Sequence, residues 1–142
     1  MFNSRKGQYS VIEQVILFGL GIAVLTGFLT TFQNFGEEAK QEAMDRQSRL
    51  LAELVRMNIV HLESLGEKSS IRFSLPEKLA GEGYRINLTD DGVAVQVIGT
   101  GSNYLKGCAG LEDEYRFNGS VTNIYNKGVL KLENNKIVLG AP

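Results

Sequence analysis

Apolar side chains are spread along this chain in two different rhythms, and the change between them near Gly66 divides it into a helical half and a strand half. From Gln14 to Gly36 no side chain is charged, and most positions from Val15 to Phe32 are Val, Ile, Leu, Phe, Ala or Gly. Roughly 20 helical residues cross ~30 Å of hydrocarbon, so this run is long enough to span a bilayer. Beyond it the pattern becomes amphipathic. Glu42, Arg46, Arg49, Glu53, Arg56 and Glu63 recur at helical steps on one stripe. Ala43, Leu50, Leu51, Leu54, Val55, Leu62 and Leu65 are expected to form the buried face opposite. Glu42 with Arg46, and Arg49 with Glu53, are opposite charges at i, i+4 and are expected to pair along the helix. No proline stands between Ser10 and Leu65, which predicts one nearly continuous helix of 50 to 56 residues with Gly66 as its C-cap. Gly27 and Gly36 mark where that helix could kink or unwind.

After Gly66 the period falls to 2. Ile71, Phe73 and Leu75 alternate with polar neighbours, as do Tyr84, Ile86 and Leu88 and then Val93, Val95 and Val97. Asp90, Asp91 and Gly92 predict a hairpin turn between the second and third of these runs. Two further strands are expected near Tyr115 to Phe117 and Val121 to Tyr125, and a last hairpin at Val129 to Leu132 and Ile137 to Leu139 around Asn134 and Asn135. Five to seven short antiparallel strands result. About 75 residues of sheet without a disulfide make a thin core of their own, so the apolar face of residues 50 to 65 is expected to complete it. The predicted fold is α+β, a long N-terminal helix packed on a C-terminal antiparallel sheet. Its first half would be membrane-spanning and its second half amphipathic.

Charge refines this organisation. The formal net charge is −1, and no Lys/Arg cluster stands out in the strand half, which argues against a nucleic-acid binder. Arg5 and Lys6 precede the apolar run and Glu37 with Glu38 follows it. The positive-inside rule then places the N-terminus in the cytoplasm and residues 37 to 142 outside. A secretory signal would carry its small-residue cleavage site after the apolar stretch; here Gly7 stands before it, so the stretch is expected to be retained.

Candidate chemistry is sparse. His61 is the single histidine and is read as packed towards the buried face; Cys108 is the single cysteine, can form no intrachain disulfide, and is read as a small buried hydrophobe. Glu112, Asp113 and Glu114 are adjacent and would alternate faces in an extended segment, while Gly99, Thr100 and Gly101 lack the third glycine of a dinucleotide loop. No enzyme, metal or cofactor is expected. Gly19, Ala23 and Gly27 form a smooth i, i+4 groove that allows close helix packing in an apolar medium. Glu13, an ionisable group at the edge of that segment, points to a pairing role, with snorkelling to the membrane interface as the alternative. Asn87-Leu88-Thr89 and Asn118-Gly119-Ser120 are sequons for N-glycosylation, the second expected in a turn.

The run Arg5-Lys6-Gly7-Gln8-Tyr9-Ser10-Val11-Ile12-Glu13, followed by an apolar helix, resembles the class III signal and N-terminal helix of type IV pilins, most closely archaeal ones. The resemblance implies cleavage by prepilin peptidase between Gly7 and Gln8. Residues 1–7 would be the leader, 8–36 the membrane or filament-core helix, 37–66 its amphipathic continuation and 67–142 an extracellular β-rich head. It also implies an assembly platform and a helical filament of copies of the same chain, serving adhesion or surface contact, entered from the cell membrane. Pilins often carry a glutamate as fifth residue after the cut; counted from Gln8, Glu13 is sixth. The alternatives are a membrane-anchored binding protein that never polymerises and a membrane-anchored enzyme.

Overall fold

The computed structural model describes residues 4–108 and 114–142, with side chains from residue 11 onward. Helix α1 covers Ser4–Leu65 without a break. It starts six residues before the expected Ser10, and helical hydrogen bonding continues through Gly27 and Gly36, where interruption was anticipated. At its C-terminal end Gly66 adopts φ +82° and its N–H donates to the Glu63 carbonyl, the left-handed cap that glycine allows without a Cβ clash.

Seven strands follow: β1 Ser70–Ser74, β2 Tyr84–Thr89, β3 Gly92–Val97, β4 Asn103–Lys106, β5 Arg116–Thr122, β6 Lys127–Glu133 and β7 Lys136–Gly140. They form a single sheet in the order β1-β6-β7-β5-β2-β3-β4. Both predicted hairpins are present, β2 with β3 and β6 with β7. Asn134 and Asn135 take φ of 51° and 56°, the conformation a two-residue hairpin loop requires and asparagine tolerates.

Two strand expectations are corrected, and one strand is added. β5 pairs parallel to β7, so the sheet is mostly rather than wholly antiparallel. The two strands expected around Tyr115–Phe117 and Val121–Tyr125 are one strand running through Gly119, and Asn123–Tyr125 is a short 3-10 turn. β4, too short to show a periodic signal, pairs with β3 at the sheet edge.

The chain divides into two units, Met1–Gln41 and Glu42–Pro142. Among the described helical residues Met44 is the first that is buried. In the second unit the helical face of Met44, Ser48, Leu51, Ala52, Val55, Ile59 and Leu62 closes over the inward side chains of the sheet, among them Ile86, Val95, Leu130 and Ile137. The expected covering of the sheet by the helix is therefore present, on a differently centred face. Leu50, Leu54 and Leu65 are exposed, as is His61, which corrects its reading as a packed residue. Aliphatic residues occur on two adjacent stripes of this helix, and only contact with the sheet distinguishes them.

The expected ladder of helical ion pairs is rearranged as well. Glu53 accepts from Arg56 Nη1 at 3.2 Å and faces Lys106 Nζ of β4 at 3.4 Å, while Arg49 lies over the Tyr104 ring at 5.7 Å. Once β4 brings a cation and an aromatic face alongside, Glu53 and Arg49 have better-placed partners than each other.

Candidate assembly segment and head surface

The first unit is helical, and all its described side chains are exposed within the chain, from Val11 at 60% to Phe35 at 71%. Among the described residues this is the one helix long and apolar enough to cross a membrane. Its three threonine hydroxyls bond within the helix: Thr26 donates to the Ile22 carbonyl at 2.8 Å, Thr30 to Gly27 at 2.9 Å and Thr31 to Gly27 at 2.9 Å. Hydroxyls bonded to their own helix expose no unmet hydrogen-bonding group to hydrocarbon. The rings of Phe28 and Phe32 meet one turn apart at a tilt of 45°, with centroids 4.9 Å from each other.

Gly19, Ala23 and Gly27 share one ridge, and a Cβ built on either glycine meets nothing within 4 Å. The groove is thus open over its length. Glu13 is exposed on the same helix. Arg5, Lys6, Gly7 and Gln8 belong to its first turns, but their side chains lie outside the described residues.

The head presents a second apolar surface on the continuation of α1. Leu50 and Met57, each 65% exposed, together with Leu54, line two adjoining hollows of about 340 and 530 Å³. Pro76 and Leu79 wall the first, and Asn58 and His61 the second. The Ala80 N–H donates to Gln47 Oε1 at 2.6 Å, tying the loop that carries this wall to the helix. Asn123 continues the tie, accepting from the Tyr84 N–H and donating to the Glu77 carbonyl at 2.6 Å.

No protein-family model, curated protein or solved structure matches this chain. The residues themselves therefore carry the functional argument.

Cys108 is fully buried in the head core, the environment its reading as a small hydrophobe expected. Asn87 is half-buried on β2, and Asn118 is exposed on β5 rather than in a turn. Asn118 and Gly119 have turn-forming composition, yet the glycine lets β5 pass close to the Leu139 carbonyl. Glu112 and Asp113 lie outside the described residues; Glu114 is exposed. Among the described residues no group of three His, Cys, Asp or Glu is placed to hold a metal ion. A basic face on the outside of the sheet is the feature that the linear sequence hid. Its cations are scattered over five strands, so no run of adjacent Lys or Arg marked it.

Proposed function

We propose that this chain is a structural subunit of an extracellular filament of the type IV pilin kind, held in the membrane before assembly. The supporting observation is the 15–32 stretch of α1, apolar on every side and covered by none of the described residues. Such a helix is stable only in lipid or among other apolar helices. The groove at Gly19, Ala23 and Gly27 suits close approach by neighbouring copies, and the Leu50, Leu54 and Met57 stripe gives the head an apolar surface for lateral contact. Heterologous contacts repeated without closure produce a helical fibre. Removal of the leader at Gly7 would delete two cations that oppose withdrawal of the helix from the membrane.

Substitution of Gly7 by leucine tests the reading. Wild-type protein is expected to begin at Gln8 and to appear in sheared surface filaments; Gly7→Leu should keep its leader and stay in the membrane fraction. A wild-type protein that retains Met1 to Gly7 and never leaves the membrane would instead be a non-polymerising anchored protein.

A further inference from the structure

The outward positions of the seven strands alternate with the buried ones, and the strand order gathers on that face cations far apart in sequence. Arg72 on β1, Arg85 on β2, Arg116 on β5, Lys127 and Lys131 on β6, and Lys136 on β7 are all exposed there. They are six of the chain's fifteen basic residues, on a protein whose net charge is −1. Among the described residues two carboxylates are placed against them: Glu133 stands opposite Lys136 in the ladder, and Asp90 Oδ2 lies 3.5 Å from Arg116. The face therefore keeps a clear positive excess, opposite to the sign of the whole chain.

Uncharged hydrogen-bonding groups stand in several of the intervals, and Val129 and Val138 in others, opposite Arg72 and Lys131. Ser70 stands beside Lys131, Asn87 beside Ser120, and Thr122 beside Arg85, which in turn faces Gln96. With strands ~4.8 Å apart, the five strands that carry the cations make a platform roughly 19 Å wide. No aromatic side chain occupies an outward strand position among the described residues.

We propose that this face binds an acidic polysaccharide. Its carboxylate or sulfate groups would pair with the Arg and Lys heads, and its hydroxyls with the interleaved Asn, Gln, Ser and Thr. Duplex DNA fits less well, since a sheet face offers no helix or two-stranded ribbon to enter a groove; for single strands the face lacks the aromatic platforms on which bases stack. The surface belongs to the head and stands whether or not the chain polymerises.

Full-length protein in non-ionic detergent micelles, titrated with polygalacturonate, tests this. Saturable binding is expected, weakening at least about tenfold between roughly 50 and 500 mM salt because exposed charges are screened. R72E/K131E/K136E should lower affinity by about tenfold or more while the circular dichroism spectrum and unfolding midpoint hold. K131Q and K136Q are milder, each expected to weaken binding about two- to threefold. K78E, in the loop lining the helix-side hollow, should bind as wild type. Unchanged affinity in K131Q, K136Q and the triple variant would overturn the proposal. So would equal binding of neutral dextran, or tighter binding of a DNA duplex than of polygalacturonate.

Discussion

A Cβ placed on Gly119 would collide with the backbone carbonyl of Leu139, and φ there is +120°, a conformation that side chains oppose. Gly119→Ala is therefore expected to destabilise the head by about 2–4 kcal/mol, measured by urea unfolding. Gly140→Ala, with nothing within 4 Å of the added carbon, should change stability by less than about 1 kcal/mol. The Tyr84 phenol, buried in the core, donates to the Pro76 carbonyl at 2.6 Å, and burial pushes its pKa up from 10.0 to about 12. Its proton is held more tightly in the folded state, so the stabilisation it gives is complete below pH 10 and is lost as pH rises towards 12. The loss should not exceed about 1.4 kcal/mol per pH unit, and Tyr84→Phe should flatten that alkaline decline in a series of unfolding midpoints. In the sequence, Asn118 and Gly119 read as a turn, and nothing local marked the glycine as a point of close approach. The neighbouring strand that makes glycine necessary is 20 residues away at Leu139.

The second half of α1 carries two apolar stripes, and their energetic roles separate cleanly. Ile59 is fully buried beneath the sheet, so Ile59→Ala should cost about 2–4 kcal/mol through lost burial and the cavity left behind. Leu50 is mostly exposed, and Leu50→Ala should leave head stability within about 0.5 kcal/mol. If the exposed stripe supports lateral contact, Leu50→Ala would reduce filament yield without lowering the unfolding midpoint. Period 3.6 was readable over this segment, as was the cap at Gly66. The choice between stripes was not, because Leu50, Leu54 and Leu65 are as hydrophobic as Leu51, Val55 and Leu62. Similarly, Glu53 could be assigned to Arg49 by spacing alone until β4 brought Lys106 within 3.4 Å.

Across the whole molecule the two units have different solvent requirements. A fragment spanning 42–142 retains the helical face that covers the sheet, and is expected to be soluble without detergent and to unfold in one cooperative transition. A fragment spanning 67–142 loses Leu51, Val55, Ile59 and Leu62 from the core and should show no such transition by circular dichroism. The full chain should need detergent or lipid, since the helix from Val11 to Phe35 remains uncovered. The amino-acid sequence by itself determined the apolar helix, the alternating strands and both hairpin turns. Those features depend on side-chain periodicity and backbone preference among near neighbours, which a linear reading contains. Tertiary structure alone decided the buried stripe of the helix, the parallel pairing of β5 with β7 and the gathering of six cations on one face. Each depends on which distant strand lies alongside, and strand order follows from how the whole set of apolar faces can be closed at once.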